Sequence, residues 1–155
     1  MPGSAPPPPE LDARDLKIAV CASRFNPEIT GALTLGAIEA IEKAKGTVQG
    51  PHFVAGAFEL PVIAAALIES GADAVVAIGC VIRGETPHFD LIAGESARGL
   101  MQVMLDTGVP IGNGIITTED RDQAEARAGG ELGNKGAEAA EAAIEACMLL
   151  RGLGI

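Results

Sequence analysis

The chain predicts an α/β fold, a parallel sheet with helices on both sides. Asp73-Ala74-Val75-Val76-Ala77-Ile78-Gly79-Cys80 is a continuous apolar run of strand length, the pattern of a strand covered on both faces. Runs of this kind alternate with segments of helical periodicity along the chain, as parallel sheets require. The central run passes directly into Val81-Ile82-Arg83-Gly84-Glu85-Thr86-Pro87-His88-Phe89-Asp90, a mixture of glycine, proline, histidine and charges of both signs. A loop at the carboxyl end of a parallel strand lies where open α/β sheets hold their ligands. It leads into a helix whose free N–H groups can seat an anion.

The elements follow in order. Pro6 to Pro9 can neither continue a helix nor pair as a central strand, so residues 1–15 are expected to be an amino-terminal arm preceding one domain over 16–155. Leu16 to Ala22 is the first strand. Asn26-Pro27 opens a helix, with Asn as N-cap and Pro at the first helical position; it runs to about Lys45 with Ile29, Leu33, Ala37 and Ile41 on one face and Ile38 beside them. Phe25 stands in the turn, either as a core residue capping the strand or as a ring for a ligand. Gly46 to Gly50 reads as a connector and Pro51 to Ala55 as a short second strand. The next helix begins near Pro61, buries Leu60, Ile63 and Leu67, and stops near Gly71. Glu59 in its first turn complements the helix dipole by default.

After the central strand and loop comes a helix from about Phe89 to Asp106, with Ala97, Leu100, Met101 and Met104 as its buried face. Val109 to Thr117 is the fourth strand. Asp120 caps a short helix, with Gln123 three residues on, and Gly129-Gly130 breaks it. Asn134 opens the last helix, whose Ala140, Ile144, Cys147 and Met148 share a face.

Composition narrows the function. At 155 residues, 48% of them hydrophobic and 21% charged, the chain suffices for one globular domain with a proper core. No apolar run approaches the ~20 residues of a membrane span, and the short apolar stretch behind an acidic, proline-rich leader is not a signal peptide. Three scattered cysteines argue for a reducing cytoplasm rather than a disulfide framework. A net charge of −10 argues against nucleic acid or an anionic membrane as partner. An anionic substrate must then be held by a few well-placed cations. With four Phe and no Trp or Tyr, any exposed Phe is informative.

No metal site is expected, because the two histidines lie far apart without ligand spacing. Neither a P-loop nor a dinucleotide fingerprint follows a strand, and Ser23 and Ser96 stand in no nucleophile elbow. An acid–base and phosphate reading remains. Gly84-Glu85-Thr86 can turn N–H groups toward an anion. His88 is the only side chain there that titrates near neutrality. Arg127 either complements a helix C-terminus or serves an anion, and Lys135 lies at the mouth of the last helix.

Several segments then match a known family in order: Ser23-Arg24-Phe25-Asn26, Gly56 to Pro61, Gly79 to Asp90, Gly114 to Glu119, Gln123 to Gly129, and Gly133-Asn134-Lys135-Gly136. Together, over Leu16 to about Leu150, they resemble the 6,7-dimethyl-8-ribityllumazine synthases, the penultimate enzymes of riboflavin biosynthesis. The resemblance implies a three-layer α/β/α sandwich with a four-stranded parallel sheet and flavodoxin-like topology. It implies a transferase that condenses 5-amino-6-(D-ribitylamino)uracil with 3,4-dihydroxy-2-butanone 4-phosphate, without metal or cofactor. By position, Phe25 would stack on the pyrimidine, while Ala57, Phe58 and Glu59 would line the ribityl chain. The backbone of Cys80, Val81 and Ile82 would read the uracil edge. Glu85 and Thr86 would hold the phosphate by their N–H groups, Arg127 would neutralise it, Lys135 would add charge, and His88 would shuttle protons.

In this family the pocket lies between adjacent subunits of a pentamer, so Asn113, Arg127 and Lys135 would come from a neighbour. Asn113 stands where many members carry an aromatic, which exchanges a ring contact for a hydrogen bond. The Arg127–Asn134 segment resembles that of icosahedral members, which favours a shell of sixty copies over a bare pentamer or decamer. The alternative is a shell or scaffold of the same fold without the chemistry, and a further one is a flavin or lumazine carrier.

Overall fold

The computed structural model describes residues 6, 7 and 9–155. Most of the proline run of the amino-terminal arm is among them, but Pro8 and residues 1–5, on which that expectation also falls, lie outside the described residues. Eleven helices and strands follow: β1 (Lys17–Ser23), α1 (Pro27–Lys43), β2 (Thr47–Val54), α2 (Leu60–Glu69), β3 (Ala74–Ile82), α3 (His88–Thr107), β4 (Ile111–Thr118), α4 (Arg121–Ala126), β5 (Ala128–Gly130), β6 (Gly133–Asn134) and α5 (Lys135–Gly152). A single 3-10 turn, Ala57–Glu59, leads into α2.

β1 to β4 form one sheet in the order β2-β1-β3-β4, every pair parallel. This is the expected four-stranded parallel sheet between helices. The two faces are read off alternate residues of the central strands. Ile18, Val20, Val76 and Ile78 point into one cluster with Leu33, Ala37, Ile41, Ala140 and Ile144 of α1 and α5. Ala19, Cys21, Val75 and Ala77 point into the other with Leu60, Ala64 and Leu100 of α2 and α3. All residues from Ala74 to Cys80 are buried, as the unbroken apolar run requires. Each fully buried Val, Leu or Ile contributes about 1.5–3 kcal/mol, so this strand anchors both layers. Upstream of β1, Ala13 is buried in the first cluster and its N–H donates to the Ala44 carbonyl at 2.7 Å.

Helix starts are set by their caps. Asn134 Oδ1 accepts from the N–H groups of Gly136 and Ala137 at 2.9 and 3.1 Å, and Asp120 Oδ1 accepts from Gln123 N–H at 2.8 Å. The Gln123 side chain reaches back to the Glu119 N–H at 2.9 Å. Asn26 begins α1 as expected but does not cap it with its side chain. It sits at φ 53°, ψ 60°, a left-handed conformation that Asn tolerates better than most residues. Its backbone carbonyl takes the first helical N–H groups instead.

Three expectations are corrected and a fourth is refined. β2 begins at Thr47, so Gly46–Gly50 is mostly strand rather than connector; a register shift between Ala19 and Cys21 of β1 accommodates Gly50-Pro51 within it. β3 runs through Ile82, so Val81 and Ile82 are strand residues rather than loop. Ala97 and Met101 are exposed, not buried. The inward stripe of α3 is Ile92, Ser96, Leu100, Val103 and Met104, with the Ser96 hydroxyl satisfied by the Ile92 carbonyl at 2.6 Å. The Gly129-Gly130 break is an antiparallel two-stranded ribbon, β5 with β6, that turns the chain from α4 into α5.

Candidate active site

The chain leaves β1 toward β2 on one side and later returns to β3 on the other. The carboxyl ends of β1 and β3 therefore flank the switch point of the sheet, where the connections on either side diverge and leave a crevice. A cavity of about 790 Å³ opens there. Its walls come from four segments: Ser23, Phe25 and Asn26 after β1; Gly56 to Glu59 after β2; Cys80, Val81 and Ile82 at the end of β3; and His88, Leu91, Ile92 and Glu95 along the first turns of α3. The volume lies within the ordinary range of small-molecule sites.

Phe25 is 67% exposed and its ring forms part of the wall, which excludes the alternative of a core residue. Gly56 is packed close to both walls: a Cβ built there would stand 3.3 Å from Glu59 Oε1 and 3.5 Å from the Phe25 ring. Glu59 makes no capping bond to α2 and faces the cavity instead. Cys80, near the end of β3, lines the wall. Its buried thiol is pushed up to about 11 by desolvation, which keeps it protonated and makes it no nucleophile near neutrality. His88 is the first residue of α3, exposed, with its N–H 3.4 Å from Thr86 Oγ1.

A second concavity, about 410 Å³, lies along the edge strand β4 and the start of α5. Asn113, Ile115, Thr117, Arg127 and Lys135 line it, with Glu138 beside them. Arg127 Nη1 donates to the Gln123 carbonyl at 2.9 Å, in the last turn of α4. Its expected helix-end contact is thus present. Lys135 Nζ pairs with Glu138 at 3.1 Å. Asn113 Oδ1 accepts from the Ile115 N–H at 3.1 Å.

The sequence-derived residues therefore fall into two groups. Phe25, Ala57, Phe58, Glu59, Cys80, Val81, Ile82 and His88 meet in the first cavity, and Asn113, Arg127 and Lys135 meet in the second. Glu85 and Thr86 lie in the exposed β3–α3 loop and line neither. Sequence reasoning missed Ser23, Asn26, Gly56, Leu91, Ile92 and Glu95. The spacing of His88, Leu91, Ile92 and Glu95, at i, i+3, i+4 and i+7, marks one face of a helix and was the signal available for three of them. Among the described residues, no group of three or more His, Cys, Asp or Glu is arranged to hold a metal ion, and no helix is long and apolar enough to cross a membrane.

An open α/β sheet with an aromatic, a carboxylate and an imidazole around one cavity at its switch point defines an α/β protein with a candidate small-molecule site. Residues 15–151 match the family model described as 6,7-dimethyl-8-ribityllumazine synthase. The chain is 47% identical to the 6,7-dimethyl-8-ribityllumazine synthase of Thermus thermophilus, over 94% of each chain. It is also 47% identical to that of Kineococcus radiotolerans, over 99% of this chain and 96% of the relative, and 46% identical to that of Chlorobium limicola. The chain belongs to the 6,7-dimethyl-8-ribityllumazine synthase family, enzymes of riboflavin biosynthesis.

Proposed function

We propose that this chain condenses 5-amino-6-(D-ribitylamino)uracil with 3,4-dihydroxy-2-butanone 4-phosphate at a site that two adjacent copies complete together. The observation that carries the proposal is the division of the site residues between two cavities of one chain. The first has aromatic rings, a carboxylate and an imidazole but no lysine or arginine in its wall. The second has Arg127 and Lys135 but no aromatic side chain. Each supplies what the other lacks for one flat heterocycle and one phosphate.

In the composite site Phe25 stacks on the pyrimidine, Ala57, Phe58 and Glu59 hold the ribityl chain, and the Cys80–Ile82 backbone reads the uracil edge. Arg127 of the adjacent copy binds the phosphate, where a planar fork makes two charge-assisted bonds. Lys135 adds charge, Asn113 offers a hydrogen bond to the ring, and the N–H groups of Glu85 and Thr86 close over the anion. The substrate's amine attacks the ketone; loss of one water gives the imine. His88 takes and returns protons as phosphate leaves, and attack of the ribitylamino nitrogen with loss of another water closes the ring.

Self-association is supported by apolar side chains that the isolated chain leaves in water. Outside the cavity, Phe53 on β2, Val62 on α2 and Leu105 on α3 are each more than half exposed. We read these exposed apolar side chains as belonging to an interaction face. We assign it to pentamer contacts, with pentamers closing into a shell of sixty copies.

Lumazine formation followed by ultraviolet absorbance, alongside analytical ultracentrifugation, tests the reading. The parent protein is expected to assemble and turn over. Arg127→Ala should lose most use of the phosphate-bearing substrate, and His88→Ala should slow turnover by about 10²-fold. A correctly assembled parent that forms no lumazine is a scaffold instead. One that binds the ligand tightly but releases no phosphate is a carrier.

A further inference from the structure

Arg83 follows the last residue of β3 and stands just before the Gly84–Pro87 loop. Its N–H donates to the Thr118 carbonyl at 2.9 Å, extending the β3–β4 ladder by one rung. Its guanidinium is gripped from both sides of the loop. Nε donates to Glu119 Oε2 at 2.8 Å, the two Nη atoms lie 3.5 Å from the two Asp90 oxygens, and the head lies 4.3 Å over the Phe89 ring. Glu119 directly follows β4, whereas Phe89 and Asp90 belong to the first turn of α3, next to His88. The loop itself offers little to hold it. Gly84 has open space around it, and the only side-chain hydrogen bond within the loop among the described residues is the 3.4 Å contact of Thr86 Oγ1 with the His88 N–H.

We propose that Arg83 is a positioning residue, a clamp that sets the Gly84–Pro87 loop and the first turn of α3 so that His88 and the Glu85 and Thr86 N–H groups meet the phosphate-bearing substrate. The inference rests on the role given above to this loop. All of its ion-pair partners are exposed, so the clamp contributes little to global stability; its effect falls on geometry, to which turnover is far more sensitive. Arginine is required because its flat head bonds two carboxylates while stacking on a ring, which an ammonium does not do.

The test is steady-state kinetics for both substrates on Arg83→Ala, Arg83→Lys and Glu119→Gln, with Arg127→Ala as control and with melting and sedimentation measured on each. Arg83→Ala is expected to raise KM for the butanone phosphate about 10-fold or more while the pyrimidine KM stays within about twofold, with melting and assembly as in the parent. Arg83→Lys should recover only part of the loss, and Glu119→Gln should shift the same constant in the same direction. Parent kinetics in Arg83→Ala beside a crippled Arg127→Ala overturn the clamp alone. Parent kinetics in both overturn the phosphate reading of the site as well. Equal loss for both substrates in an Arg83→Ala protein that assembles and melts as the parent does also overturns the clamp, because the loop would then not act on the phosphate-bearing substrate in particular. Should Arg83→Ala not assemble, Glu119→Gln and Asp90→Asn, nearly unchanged in shape, carry the same expectation, and parent kinetics in both refute it.

Discussion

The Asn26 side-chain amide donates to the Cys80 carbonyl at 3.1 Å, tying the last residue of the β1–α1 turn to the strand that carries the central loop. One residue thereby holds both sides of the switch point together. It does so from a left-handed backbone conformation. Asn26→Ala removes the bond and adds left-handed strain, for a loss of about 2 kcal/mol. Asn26→Gly removes the bond alone and should lose about 1 kcal/mol. Denaturant unfolding of both separates the two contributions. Equal stability of the Ala and Gly variants refutes the backbone part.

Two glycines in long helices should respond oppositely to alanine. Gly31 in α1 has nothing within contact of a built Cβ, whereas a Cβ at Gly136 in α5 would overlap the Leu33 carbonyl of α1. Gly31→Ala should stabilise by about 0.5–1 kcal/mol, because only backbone entropy changes. Gly136→Ala should destabilise by about 1–3 kcal/mol, since α1 and α5 must part. Thermal melts of the two variants check the sign. A stable Gly136→Ala protein would mean that the two helices are not packed this closely.

How legible the fold was depended on what fills each inward face. The face of α1 is all apolar, and periodicity found it: Ile29, Leu33, Ala37 and Ile41 are all buried. In α3 the inward positions include Ser96, whose hydroxyl is spent on its own helix, and Gly99, where a Cβ would stand 2.7 Å from Pro61 of α2. A close helix pair built on small residues is invisible to a hydrophobicity pattern, which therefore preferred Met101, left 51% exposed. β2 was cut short for a related reason, because Gly50-Pro51 reads as punctuation but is tolerated in an edge strand. In the site, Phe25 and His88 stood out as candidates because a turn or loop gave them no clear packing duty, whereas Glu59 read by itself as a helix-dipole residue and entered the site only through the family resemblance. Asn26 did not stand out, since its cap position explained it fully without its bond to β3.

The thiols predict the alkaline limb of stability. Burial pushes Cys21 up to about 12 and Cys147 up to about 11, from an ordinary value of 9.0. Above pH 9 the unfolded chain gives up thiol protons that the folded chain keeps, so the unfolded state binds fewer protons and stability falls as pH rises. The urea midpoint should therefore drop between about pH 9 and 11, and no Tyr is present to add a phenol contribution. At pH 8 iodoacetamide should label these cysteines only as the protein unfolds. Fast labelling of the native protein would show that the two layers open locally.

Mixing two impaired variants tests whether the site is shared. His88 belongs to the cavity beside β1 and β3, and Arg127 to the one beside β4 and α5. If a site takes one group from each of two copies, His88→Ala and Arg127→Ala chains coassembled after unfolding regenerate some sites with both groups intact. In a random equal mixture each group is intact with even odds, so activity should return to about a quarter of the parent level, by the geometry of a head-to-tail ring. A site confined to one chain regenerates nothing, because no single chain in the mixture carries both residues. Coassembly is verified by mass spectrometry of the mixed particles. Mixed particles without recovered activity would show that Arg127 acts in the same copy as His88.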